Sequence, residues 1–145
     1  MATRPFSTCA CYRLRRAPRA VTQLYDDAMA PTGLRITQYG LLRTLADEGP
    51  RTITGLAQAL LLDRTALSRT LDPLIDRSLV AVTPGSDART REVSLTTAGR
   101  NAVEAAGPHW NAVQTMVARS VGRARLDDLY ALLEGLETLH PGAGR

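Results

Sequence analysis

Between Asp63 and Arg100 the hydrophobic period of the chain changes twice, and no other feature constrains the fold as tightly. From Arg64 to Arg77 the apolar residues Leu67, Leu71, Leu74 and Ile75 recur at helical spacing, with Asp63 placed as an N-cap. Pro73 lies late in this helix and predicts a bend there. Two short β-branched runs follow, "LVAVT" and "REVSL", separated by the turn-rich "PGSDART"; they read as a hairpin with a long, solvated tip. At "LTTAGR" the helical period returns, capped by Thr96 or Thr97, and runs through Val103, Trp110 and Val113 towards Val117, with a bend expected at Gly107 and Pro108. The predicted class is mainly α with a small β-hairpin.

Upstream, Thr54 to Leu61 reads as a short helix presenting Leu56, Ala57 and Leu60, with a break at Leu62 and Asp63. "TQYGLLRTLAD" reads as a helix capped by Thr37, with Tyr39, Leu42, Leu45 and Ala46 inward. From about Thr8 to Met29, Cys11, Leu14, Pro18, Val21, Tyr25 and Ala28 follow alternating steps of three and four, and Pro18 should kink or divide that helix. A leucine-rich helix closes the chain from Leu126 to Leu139, before a frayed "PGAGR" tail. With 145 residues, 44% hydrophobic and 22% charged, the chain is one globular domain, 1–145, without repeats.

The helix 64–77 leaves Arg64, Thr65, Ser68, Arg69 and Asp72 on its outer side. A helix about 10 to 12 Å across fits the major groove of DNA, where Thr, Ser and Arg reach base edges, while an arginine on a flexible tip reaches the minor groove. A short helix, a tight break, such a helix and then a hairpin with an Arg tip is the order of a winged helix-turn-helix. The chain resembles the MarR family of transcriptional regulators over nearly its whole length. The resemblance is carried by "TQYGLLRTL", by "TGLAQALLLDRTALSRTLDPLIDRSLV", by the wing "SDARTREVSLTTAGR" and by the flanking helices. Its most specific part is Asp-x-Arg-x-Arg followed by an "LTxAG" helix start.

The resemblance implies that Thr65, Ser68 and Arg69 read bases, that Arg64 touches phosphate and that Arg89 enters the minor groove. It implies too that Asp87 holds Arg89 in place and that Arg91 lies against the DNA backbone. It makes residues 36–98 the DNA-binding region and residues 8–30 and 108–140 dimerisation helices. A homodimer then sets two recognition helices about 34 Å apart on a pseudo-palindromic operator, which the protein would occlude as a repressor. Charge alone does not reveal this surface, since residues 63–91 carry five arginines against four acids. All 18 basic residues are arginine for a net charge of +4, and five of them, with no acid, fall in the first 25 residues.

Cys9 and Cys11 are too close in sequence for a disulfide framework of the secreted kind. They lie at the expected start of the first helix, after Ser7 or Thr8 as cap, where the helix dipole and Arg13, Arg15 and Arg16 favour thiolate. "CYRLRRAPRAVTQLY" resembles the first helix of the organic-hydroperoxide-sensing branch of the family, with Cys11 at the oxidised position through the match of Arg19, Thr22 and Tyr25. Arg15 stands where that branch carries a tyrosine. The other reading makes Cys11 an apolar interface residue. The family's second switch is a small aromatic acid, for which Tyr25, Tyr39, Arg43 and Trp110 could form a pocket. His109 and His140 show no metal-ligand spacing, and no metal or cofactor is expected. A cysteine-dependent enzyme lacks a nearby base, which leaves it and a protein-interaction module as alternatives. No apolar run reaches the length of a membrane span, no secretory h-region follows Met1, and a bacterial or archaeal cytoplasmic protein is expected.

Overall fold

Asp63 does what its position foretells: its Oδ1 accepts the Ala66 N–H at 2.7 Å and starts the helix α4, Arg64–Asp76. In the computed structural model, which describes residues 8–139, α4 is preceded by α1 (Ala10–Met29), a 3-10 turn (Ala30–Thr32), α2 (Ile36–Glu48), β1 (Arg51–Thr52) and α3 (Ile53–Ala59). It is followed by β2 (Val80–Pro84), β3 (Arg91–Leu95), α5 (Thr97–Val121) and α6 (Arg123–Glu137). The class is the expected one, mainly α with a hairpin wing.

Both helices of the helix-turn-helix end the same way. Leu62 N–H bonds the Ala57 carbonyl at 2.9 Å and Leu79 N–H bonds that of Leu74 at 2.9 Å, with Leu61 and Ser78 in the left-handed region at φ of 50° and 56°. These are Schellman closures, in which glycine is the usual left-handed residue. Each L-residue there costs about 1 to 2 kcal/mol, offset by the tight turn it allows into α4 or into the wing.

The wing pairs in register, Val80 with Leu95, Val82 with Val93 and Pro84 with Arg91. The strand β1 was not legible in the sequence. It lies antiparallel on the other edge of β3, Arg51 opposite Val93, so that β3 is the central strand and Val93 is fully buried. At the wing's root Thr96 caps α5 by accepting the Gly99 N–H at 3.0 Å, and its hydroxyl lies 2.7 Å from the Ser78 carbonyl oxygen. Met29, Leu41, Leu42, Leu56, Leu67, Leu74 and Val93 form the centre of the core, joining α1, α2 and the wing region in one apolar cluster.

Several expectations are corrected. Residue Arg35, not Thr37, is the N-cap of α2: Gln38 Oε1 accepts the Arg35 N–H at 3.0 Å and Asp26 Oδ1, reaching across from α1, accepts that of Ile36 at 2.7 Å. Ala46 and Ile75 are exposed, because the buried arcs of their helices end at Leu45 and Leu74. Pro18 does not divide α1, which runs as one helix; Pro73 and Pro108, where bends are expected, lie inside the continuous helices α4 and α5. The helix α5 continues to Val121. Cys9 is the N-cap of α1 and makes no side-chain cap bond. Ser7, His140 and the tail lie outside the described residues.

Candidate nucleic-acid interface

The apolar face of α4 is spent on the core through Leu67, Leu71 and Leu74, so the opposite face is free by geometry. Arg64, Thr65, Ser68, Arg69 and Asp72 are all exposed there. Short hydroxyl side chains between two arginines offer donors and acceptors at two depths, suited to base edges and to phosphates.

The wing tip is held by its own hydrogen bonds. The Thr90 N–H and hydroxyl both bond the Asp87 carbonyl at 2.9 Å, and Gly85 N–H bonds the Thr90 carbonyl at 2.9 Å. An added Cβ on Gly85 would press on Thr90 Oγ1, so a larger residue there would displace the hydroxyl that bonds the Asp87 carbonyl. Asp87 acts on Arg89 through the backbone, its Oδ1 accepting the Arg89 N–H at 3.1 Å, and not through the guanidinium. The Arg89 side chain is therefore exposed on an ordered turn. Among the described residues the ion pairs are Arg43 with Asp47 and Arg51 with Glu48, so Arg64, Arg69, Arg89 and Arg91 keep their charge unneutralised.

Two clefts flank the start of α4. One, of about 400 Å³, lies between α3, α4 and the wing and is lined by Arg64, Arg89, Arg91 and Thr90 among others. The second, of about 370 Å³, runs along α4 and β2 past Ser68 and Asp72, and Arg64 and Arg91 border it too. The structure thus brings four separately read residues, Arg64, Ser68, Arg89 and Arg91, to one surface.

The second group of candidate residues does not converge. Tyr25 and Trp110 line a cleft of about 330 Å³ with Val21, Ile36, Gln114 and Tyr130. Tyr39 is buried against Trp110, ring centroids 6.3 Å apart, and belongs to the core. Arg43 lies in a different cleft and pairs with Asp47 at 2.9 Å, which holds its guanidinium further above its ordinary pKa. No residue lining the Tyr25 cleft is charged, so the expected carboxylate partner is missing there. Sequence reasoning passed over Gln114 and Tyr130. Tyr25 donates to Gln114 Oε1 and Gln114 Nε2 donates to the Tyr130 hydroxyl at 2.7 Å, joining α1, α5 and α6. Burial, with the Tyr130 hydroxyl close by, raises the Tyr25 pKa.

Cys11 is exposed at the second position of α1 and Cys9 is half-buried before it; both are free thiols. Along α1, Cys11 and Tyr25 are about 21 Å apart at 1.5 Å per residue, so within one chain they do not meet. Arg16 lies over the Tyr12 ring at 5.7 Å. Among the described residues no group of three potential metal ligands occurs, and no helix is long and apolar enough to cross a membrane.

A family model described as the MarR family matches residues 32–90. The crystal structure of the M. tuberculosis transcriptional regulator MosR in complex with DNA is 38% identical, with a TM-score of 0.78 over 91% of this chain and 98% of that one. The chain belongs to the MarR family. As a MarR-family member it is a transcriptional regulator and not an enzyme. The fold recurs in an E. coli MarR mutant complexed with operator DNA, at 20% identity and a TM-score of 0.82 over 92% of this chain and 99% of that one. It recurs in the Streptomyces coelicolor regulator PcaV in complex with its natural ligand, at 18% identity and a TM-score of 0.83 over 95% and 98% of the two chains. No curated protein matches by sequence.

Proposed function

We propose that this MarR-family regulator binds a pseudo-palindromic duplex as a homodimer and represses transcription by occluding a promoter, until an effector releases it. The observation that carries the reading is the shared surface of α4 and the wing, where Arg64, Arg89 and Arg91 line one cleft and, among the described residues, stand without acidic partners. In this reading Thr65, Ser68 and Arg69 contact bases, Arg64 and Arg91 phosphates, and Arg89 the minor groove, with Asp87 ordering the turn that carries it. MosR and the E. coli MarR mutant, both solved with DNA, support the choice of ligand.

Residues 36–98 form the DNA-reading part, and 8–30 with 108–140 the dimerisation part. Exposed Leu14, Val21 and Leu24 on α1 and Leu129, Leu132 and Leu136 on α6 support this, since one chain alone leaves them in water.

For the effector, oxidation of Cys11 is the reading we favour. The sulfur attacks one oxygen of a peroxide, an S–O bond forms as the O–O bond breaks, and the departing alkoxide or hydroxide takes the thiol's proton through water, leaving a sulfenic acid and an alcohol or water. The free, exposed thiol of Cys11 supports it. Tyr25 could complete such a site only from a second chain, given the distance along α1. The small aromatic ligand is the second reading: PcaV was solved with its natural ligand, and Tyr25 and Trp110 line one cleft here.

The test is selection of duplexes from a random-sequence pool, followed by affinity measurements over a salt series, with and without peroxide, on wild type and Cys11→Ser. A regulator keeps its preference over random DNA as salt rises. Loss of all sequence preference overturns the reading in favour of a protein-interaction module. Peroxide that leaves wild-type affinity unchanged overturns the redox effector, and phenolic acids that alter neither affinity nor melting temperature overturn the ligand effector.

A further inference from the structure

The cleft between α3, the start of α4 and the wing is lined by three arginines from three places in the chain: Arg64 on α4, Arg89 on the tip and Arg91 at the start of β3. No acidic side chain lines it, and its polar residues are Thr52, Thr54 and Thr90. Among the described residues none of the three guanidiniums is in an ion pair. Three like charges around one hollow repel each other unless an anion sits among them. A guanidinium fork fits the oxygens of a phosphate, and hydroxyls supply further donors.

Arg64 and Arg91 have a second property. They border both this cleft and the neighbouring one along α4 and β2, where Ser68 lies. They stand on the divide between the side that carries Arg89 and the side that carries Ser68. On a duplex, what divides a major groove from the adjacent minor groove is one sugar-phosphate strand. Asp72 lines the second cleft, which makes the first the better seat for an anion.

We propose that this cleft is a single phosphate seat, in which Arg64 and Arg91 close from opposite sides on one and the same phosphodiester, between the groove read by α4 and the groove reached by Arg89. The inference rests on the DNA-binding reading above and gives it a specific joint: helix and wing share one phosphate instead of each holding its own. Arg91 is then a clamp that sets how far Arg89 can enter its groove.

The experiment uses the full-length protein and a duplex selected by it, with each backbone phosphate replaced in turn by an uncharged methylphosphonate. One position per half-site should cost wild type about tenfold in affinity, while Arg64→Ala and Arg91→Ala, each already about tenfold weaker, lose less than about twofold there. The slope of log affinity against log salt should fall by about 0.9 in the double variant and by less than that in each single one, because the shared phosphate is left without a cation only when both arginines are gone. Coupling to two different phosphates, or a fall of about 1.8 in the double variant, overturns the shared seat. Both side chains are exposed, so the variants should fold; Arg64→Lys and Arg91→Lys, which keep the charge, should recover the slope. A protein that selects no sequence overturns the DNA reading itself, whereas one that selects a sequence and shows two phosphates overturns only the seat.

Discussion

The carbonyl oxygen of Leu79 lies 2.0 Å from where a Cβ on Gly99 would stand, so α5 touches the root of the wing backbone to backbone. Leu95 Cδ2 is 2.8 Å from the same point. This contact is the physical content of the "LTxAG" signature: Thr96 caps the helix and grips the end of α4, and the glycine lets the helix come that close. Gly99→Ala should destabilise the fold by about 2 kcal/mol, the steric cost exceeding the ~1 kcal/mol gain in helix propensity. Urea denaturation would measure it, and a variant as stable as wild type would refute the close approach.

Ser78 sits in the left-handed region without a glycine's freedom, and its side chain is exposed. Ser78→Gly should raise stability by about 0.5 to 1 kcal/mol, the relief of strain outweighing the entropy lost by a more flexible unfolded chain. A lower melting temperature in this variant would contradict the prediction.

Asp87 orders the tip through the Arg89 amide, which makes the two residues separable. Arg89→Ala should weaken binding most on A·T-rich flanks, by about tenfold, through loss of its groove contact. Asp87→Ala should cost less, and Asp87→Asn, which can still accept the amide hydrogen bond, less again. Fluorescence anisotropy on duplexes with altered flanks would rank the three, and equal losses for Asp87→Asn and Arg89→Ala would rule the backbone route out.

Leu132 is 67% exposed and Leu139 75%, both on or just after the last helix. Leu132→Glu should shift the protein towards a monomer in sedimentation experiments while leaving helix content unchanged, and DNA affinity should fall with it. A variant that sediments as wild type would place the interface elsewhere.

Tyr25 has its pKa raised by burial, with the Tyr130 hydroxyl adding to it. In the unfolded chain its phenol ionises near 10, so the stabilisation is complete below that pH and is lost as pH rises through the higher folded value. The melting temperature should therefore fall above pH 10, and Tyr25→Phe should flatten that part of the profile. An unchanged profile in Tyr25→Phe would assign the effect to another group.

Where a residue's role is local, the sequence was readable. Asp63 as a cap, a threonine cap at Thr96 or Thr97 of which the structure selects Thr96, the stripe Leu67, Leu71 and Leu74, and the two strands of the wing all follow from spacing and side-chain chemistry. What depends on contacts between distant segments was not. The strand β1 has two residues and no pattern of its own; it exists because β3 offers a free edge. Asp26 accepts the first amide of α2 from ten residues away, and with Arg35 as N-cap the helix begins at Ile36, before the Thr37 that its type suggests as cap. Gln114 and Tyr130 carry no signal until α1, α5 and α6 are packed together. Arg43 was grouped with Tyr25 by residue type alone, and a nearby acid, Asp47, claims it instead.

Those two residues of β1 decide how a signal can travel. By pairing Arg51 and Thr52 with β3, the connection between α2 and α3 is stitched to the hairpin, so that the helix-turn-helix and its wing are joined at both edges of one strand. In the homodimer proposed above, release from DNA would then be a matter of phase: two reading heads would drift out of step with the turn of the double helix while each kept its own shape.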